Sequence, residues 1–284
     1  MSRDDQPLAA VFASLAARGQ KAVAPFITAG DPDLETTLQV IEALDRAGAA
    51  VCELGVPYSD PIADGPVIQA SYTRALAAGF TLEGLFATVK QATSKVTMPI
   101  LTMVSYSIIY RRGIDRFVAD AVACGLAGMV VPDLPLEESD QLDTAARASG
   151  LALVRLVTPT TPAGRAEEIA RRSTGFLYCV SVAGVTGARS ELPDGLVERV
   201  AWLRTKTDVP VLVGFGVSTP QQVASVTAVA DGAIVGSALV RRIGELAASG
   251  GKTAITAGVT QYVSELVTAA RFHPHDRRDH TPGN

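Results

Sequence analysis

The chain has 284 residues, 48% of them hydrophobic and 19% charged, with a formal net charge of −4. It is long enough to bury a large core, and its acidic balance with few aromatics argues against a nucleic-acid surface. Apolar runs break well short of the ~20 residues a bilayer span needs, and Arg3, Asp4 and Asp5 do not open a signal peptide. Cys52, Cys124 and Cys179 are far apart and each lies in an apolar run, so buried free thiols and a cytoplasmic setting are expected.

In chain order, the spacing of Leu8, Val11, Phe12 and Leu15 predicts a first helix over 4–18, stopped at Gly19. A strand over 22–29 runs into Gly30-Asp31-Pro32, and a helix over 33–47 ends at Gly48. The apolar run 49–56 is a strand with Glu53 near its end. Pro57, Pro61, Gly65 and Pro66 turn the next stretch into a loop, and it carries Asp60 and Asp64. Then come a helix at 81–94, a strand at 100–106, a helix at 114–124 and a strand at 129–131. Next are a helix at 137–149, a strand at 152–157, a helix at 165–172 and a strand at 176–182. A helix at 196–206, a strand at 211–213, a helix at 220–229, a strand at 232–235 and a helix from Leu239 onward complete the body.

Eight strand–helix units with continuous apolar strands predict a parallel sheet covered on both faces, the arithmetic of a TIM (β/α)8 barrel. An open doubly wound sheet fits less well, because no G-x-G-x-x-G comes after the first strand. The expectation is one barrel domain over 1–271 with an extra N-terminal helix, and a polar, disordered tail over 272–284. That tail holds all three histidines, His273, His275 and His280, so the body has neither a serine-hydrolase triad nor a His-ligated metal site.

Chemistry in such a barrel gathers where strands end. Glu53 is the one acidic residue inside a predicted strand, and a carboxylate there is costly unless it is paired or used. A structural salt bridge is its plain reading. The acidic loop behind it favours acid–base work. Asp64, flanked by Gly65 and Pro66, is read as functional, and Asp60 as a residue that shapes the loop. Glycines close three successive later strands: Gly184 and Gly187, Gly214 and Gly216, and Gly236 before Ser237. Glycine admits close approach of backbone N–H groups to an oxyanion, and a helix starting at Ser237 would add its N-terminal dipole. A phosphate-bearing substrate is therefore expected; ordinary tight turns are the plain alternative.

The segments P-F-I-T-A-G-D-P (25–32), E-L-G-V-P-Y-S-D-P-I-A-D-G-P-V-I-Q (53–69), P-D-L-P-L-E-E-S (132–139), G-V-T-G (184–187), G-F-G-V-S (214–218) and G-S-A-L-V (236–240) resemble the tryptophan synthase α-subunit family in order. The resemblance implies a lyase that cleaves indole-3-glycerol phosphate to indole and glyceraldehyde 3-phosphate without a cofactor. It also implies a β-subunit partner in an αββα complex, with pyridoxal phosphate on that partner alone. It makes Glu53 the catalytic acid–base, Asp64 the carboxylate that binds indole, and Thr186 the threonine that meets Asp64 when the site closes over loops 57–68 and 183–193. Phe26, Tyr106, Tyr178 and Phe215 would lie beside the substrate, and Gly187, Gly216, Gly236 and Ser237 on its phosphate. Two positions depart from the pattern: Tyr106-Ser107-Ile108 stands where the family has Tyr-Asn-Pro, and Ser181-Val182-Ala183 lacks an arginine. Both bear on the partner surface and loop closure, leaving open a stand-alone indole-releasing lyase or a regulatory barrel. A different phosphate-binding barrel, such as a sugar-phosphate isomerase, is the more distant alternative.

Overall fold

A computed structural model describes residues 7–62, 64–181, 192, 195–214 and 216–271. Eight strands close into a barrel: β1 (Ala22–Thr28), β2 (Cys52–Gly55), β3 (Ile100–Met103), β4 (Gly128–Val130), β5 (Ala152–Val157), β6 (Leu177–Val180), β7 (Val211–Gly214) and β8 (Gly232–Val235). Every neighbouring pair is parallel, and β1 pairs with both β2 and β8 to seal the ring. Period-two alternation sorts the side chains. Ala24, Val51, Leu101, Val130, Val154, Phe176, Leu212 and Ile234 fill the lumen, while Val23, Cys52, Leu54, Ile100 and Met129 face the surrounding helices.

Twelve helices are found among the described residues. The first, α1 (Pro7–Ala17), plugs the N-terminal end of the lumen. Its Leu8 is fully buried and its Phe12 meets Phe176 edge-on at 5.9 Å. Burying one such leucine contributes about 1.5–3 kcal/mol. Next come α2 (Leu34–Arg46), α3 (Pro66–Ala77), α4 (Leu82–Thr93), α5 (Tyr106–Arg112) and α6 (Ile114–Cys124). After them lie α7 (Asp140–Ala148), α8 (Ala163–Arg172), α9 (Leu196–Arg204), α10 (Pro220–Val229), α11 (Ser237–Ser249) and α12 (Gly251–Arg271). Local chemistry sets their starts. Asp33 accepts from the Thr36 N–H at 2.6 Å before α2, and Thr219 and Gln222 form a reciprocal capping box before α10.

Four elements differ from expectation. The stretch 66–77, where no helix is expected, is helix α3, because Pro66 sits at its first position, where a missing N–H costs nothing. Tyr106 is not the end of a strand but the first residue of α5. Asp133, from the loop after β4, accepts from the Tyr106 N–H at 2.8 Å and the Ser105 hydroxyl at 2.6 Å, and Ser105 caps the helix. The expected helix 137–149 divides into a 3-10 turn at Leu136–Glu138 and α7, with the Ser139 hydroxyl donating to the Leu136 carbonyl between them. The last helix breaks at Gly250 and Gly251, the second with φ of +68°. The residues 272–284, with His273, His275 and His280, lie outside the described residues.

Candidate functional site

The site is built from β2 outward. Cys52 and Leu54 pack into the outer layer and Val51 into the lumen, so Glu53 points inward with Val51 and Gly55. It is 0% exposed, and neither carboxylate oxygen has a hydrogen-bond partner among the described residues. Burial alone pushes its pKa from 4.5 up to about 8. The lone acidic residue of an apolar run is thus not a salt bridge. It is a buried carboxyl whose raised pKa lets it carry a proton at neutrality and exchange it there.

Two aromatic rings flank it. Phe26 is in register with Glu53 on the adjoining strand, and its ring occupies the space a Cβ on Gly55 would need, 2.4 Å from that position. The same side chain lies 3.6 Å from where a Cβ on Gly236 would sit. Across the lumen Tyr178 covers Gly214, whose Cβ would fall 2.5 Å from the phenol oxygen. Burial first, then the charges of Glu53 and Asp64, raise the Tyr178 phenol well above its ordinary range. Glycines 55 and 214 are needed because the rings use the room their side chains would fill.

Asp64 is half-buried at the mouth, and desolvation raises its pKa. Its N–H bonds the Pro61 carbonyl at 3.1 Å, and its own carbonyl accepts from Gln69 Nε2 at 2.7 Å. No described residue donates to its carboxylate. Gly65 and Pro66 then start α3, so the carboxylate hangs from the last loop residue before a rigid helix. Asp60 is exposed and accepts from the Ser59 hydroxyl within the same loop.

On the same rim, one strand beyond β1, Gly236 and Ser237 start α11, a thirteen-residue helix whose first N–H groups have no acceptor within it. Gly216 is exposed with φ of +80°, a conformation a side chain would strain. Thr186, Gly187 and Phe215 lie outside the described residues. Tyr106 is placed differently from Phe26 and Tyr178. Its ring packs against the outer layer and pairs with Tyr110 at 6.1 Å. Two further phenols gather at the mouth, Tyr58 and Tyr72, with ring centroids 5.8 Å apart. The helical spacing of Ile68, Tyr72 and Ala75 after Pro66 is the sequence signal that places Tyr72 on the inward face of α3. No cluster of three or more potential metal ligands occurs among the described residues. The arrangement brings together two aromatic rings, a buried proton donor, a second carboxylate at the mouth and a helix N-terminus that can receive an anion.

Known proteins share this fold and much of the sequence. The family model for "Tryptophan synthase alpha chain" matches residues 12–270. A tryptophan synthase alpha chain from Rhodopirellula baltica is 52% identical over 242 residues, covering 84% of this chain and 87% of that protein. One from Picosynechococcus is 54% identical over 233 residues, covering 82% and 88%. Among solved structures, the alpha chain of Legionella pneumophila superposes with a TM-score of 0.85 at 33% identity over 93% of this chain and 97% of its own. A chain of Mycobacterium tuberculosis tryptophan synthase in its aminoacrylate-bound form gives 0.82 at 31% identity, over 94% and 100%.

Proposed function

The chain belongs to the tryptophan synthase alpha chain family, and from that premise we propose how the mouth of its barrel does the family's chemistry. The enzyme is a carbon–carbon lyase of tryptophan biosynthesis. It cleaves indole-3-glycerol phosphate to indole and glyceraldehyde 3-phosphate, and this half-reaction needs no cofactor.

The observation that carries the residue assignment is the unpartnered carboxyl of Glu53, with its pKa of about 8. Retro-aldol cleavage first adds a proton to indole C3, leaving an indolenine whose positive charge sits on the ring nitrogen. Removal of the proton from the adjacent side-chain hydroxyl then makes the aldehyde C=O. The C–C bond breaks, and its electron pair restores the aromatic ring. Glu53, protonated at neutrality, delivers the first proton and takes up the second. Asp64 accepts the indole N–H and stabilises the transient cation. Phe26 and Tyr178 flank the ring, and Phe215 completes its surroundings. The N–H groups at Gly187, Gly216, Gly236 and Ser237 hold the phosphate, fixing the reacting bond over Glu53 from a remote anchor. Thr186 meets Asp64 as the site closes.

The M. tuberculosis relative is a tryptophan synthase with aminoacrylate bound. By that likeness this chain acts as the α subunit beside a β subunit, which carries pyridoxal phosphate and consumes the indole. Residues 7–271 act as one barrel unit. Among the described residues no helix is long and apolar enough to cross a membrane, and the three buried free cysteines suit a reducing cytoplasm. Indole release from indole-3-glycerol phosphate by the purified chain, with and without a β subunit, tests the assignment. Release that rises with the β subunit is expected. No release under either condition overturns the lyase reading, and release indifferent to the β subunit removes the partnership.

A further inference from the structure

The loop after β7 is held at both ends and carries Gly216 between them. At its start the Gly214 carbonyl accepts from the Ser181 N–H and the Ser181 hydroxyl, each at 3.0 Å. At its end the Ser218 N–H and hydroxyl donate to Gln222 Oε1 at 2.8 and 3.0 Å, beside the capping box that starts α10. Val217, just before, is buried in the outer layer. The Ser218 carbonyl is bound from far along the chain. Tyr262 on α12 donates its hydroxyl to it at 2.6 Å, across 44 residues.

Tyr262 is 9% exposed and packs with the buried outer layer. Arg242 of α11 covers one face of the ring, its guanidinium carbon 5.3 Å from the centroid. That helix is the one that starts at Ser237. One side chain of α12 thus touches both pieces of the rim that present N–H groups, the β7 loop by a hydrogen bond and α11 by a cation–π contact. Phenylalanine would fill the same seat and keep the Arg242 contact, so what the hydroxyl adds is the bond to the loop. Burial, opposed by Arg242 and aided by Glu265, pushes the phenol pKa up to about 12, and the proton stays on the oxygen to be donated.

We propose that Tyr262 is a positioning residue for phosphate recognition: by holding the Ser218 carbonyl it fixes the turn through Gly216, whose N–H meets the substrate phosphate. Gly216 is exposed and has no side chain to anchor it, so the direction of its N–H is set by the chain on either side. Gln222 holds the N–H side of Ser218 and Tyr262 its carbonyl side. Without the second hold the residue gains freedom that binding must remove again. The phosphate contact is the same in bound substrate and transition state, so its weakening falls on binding and not on the chemical step.

This inference rests on the phosphate reading above. Its test is calorimetric binding of glyceraldehyde 3-phosphate and of indole, the two halves of the substrate, alongside steady-state cleavage of indole-3-glycerol phosphate. Tyr262→Phe removes only the hydroxyl. We expect a rise of about fivefold in Kd for glyceraldehyde 3-phosphate and in KM, with kcat and the Kd for indole within about twofold of wild type. 4-Aminophenylalanine at this position keeps the ring and restores a donor, and should return the Kd to within about twofold of wild type. Val259→Ala, one turn earlier on the buried face of α12, should lower Tm without moving either Kd. Should Tyr262→Phe fold poorly, hydrogen exchange of the wild type decides, since saturating glyceraldehyde 3-phosphate should slow the amides of 216–219. A Tyr262→Phe protein with an unmoved Kd for glyceraldehyde 3-phosphate overturns the proposal, as does an equal loss of indole affinity or a 216–219 segment indifferent to the ligand. Wild-type protein that binds indole but no glyceraldehyde 3-phosphate overturns the phosphate reading itself, a result distinct from these.

Discussion

Replacing Glu53 by glutamine tests the buried-carboxyl argument through stability, independently of turnover. In the unfolded chain the group ionises near 4.5, whereas in the fold it does so at about 8. Between those values the folded state holds a proton that the unfolded state has lost, so stability falls as pH rises through that window and levels off above it. At 1.36 kcal/mol per pH unit, the interval from 4.5 to about 8 amounts to about 5 kcal/mol, and the part up to pH 7 to about 3 kcal/mol. Glutamine has nearly the same shape and no charge to bury. Its own unpaired amide costs about 1–3 kcal/mol, but that cost is independent of pH, so the slope is diagnostic and the offset is not. At the ~2 °C per kcal/mol expected of a chain this size, the difference in Tm between Glu53→Gln and wild type should shift in favour of the mutant by about 5–10 °C from pH 5.5 to 8. Thermal scans by circular dichroism across that range read it directly. Parallel curves for the two proteins would refute a buried, unpartnered Glu53, and indole release by the mutant would remove it from the chemistry.

Asp64→Asn keeps the shape at the mouth but not the charge. The cleavage kcat should fall about 10²–10³-fold, while affinity for glyceraldehyde 3-phosphate, measured calorimetrically, stays within about twofold. Gly214→Ala puts a Cβ 2.5 Å from the Tyr178 oxygen. The ring must move, so we expect a stability cost of about 1–3 kcal/mol and a fall in kcat/KM of more than about tenfold, again with phosphate-ligand binding retained. Away from the site, Arg155 on β5 is buried and donates to Asp143 at 2.5 Å and to Ser139 at 3.0 Å. Asp143→Ala leaves that guanidinium without its counter-charge and should cost about 3–5 kcal/mol in unfolding, with steady-state kinetics at 25 °C little changed.

Legibility in the sequence tracks how local each cause is. Glu53 stands out because one charge interrupts an apolar run, and Gly65-Pro66 marks Asp64 because breakers shape the chain on its flank. The barrel is legible from repetition of the strand–helix unit. Helix α3 is not, since Pro66 reads as a breaker when its pattern partners Ile68, Tyr72 and Ala75 are not weighed against it. Tyr106 reads as strand for a different reason. Its helix is started by Asp133, a carboxylate 27 residues away, and no short window of sequence holds both. A longer distance hides Tyr262, whose acceptor Ser218 lies 44 residues away.

The pKa of Glu53 is the extreme case of a nonlocal cause. Its own neighbours Cys52 and Leu54 face away from it, into the helical layer. The lumen that desolvates it is lined from other strands: Phe26 from β1, Leu101 from β3, Tyr178 from β6 and Leu212 from β7. Only closure of the ring brings them round one carboxyl. The concession in stability, about 3 kcal/mol at pH 7, is a large share of the ~5–15 kcal/mol that holds a domain together. Pairing Glu53 with a cation would recover it, but the carboxyl would then ionise far below neutrality and have no proton for indole C3. At pH 7 a group with a pKa of about 8 is roughly 90% protonated. The charged form is still near enough in energy to accept the hydroxyl proton later in the cycle. One missing partner therefore accounts for both the liability and the chemistry, and substitutions that restored the stability at this position would be expected to do so at the expense of turnover.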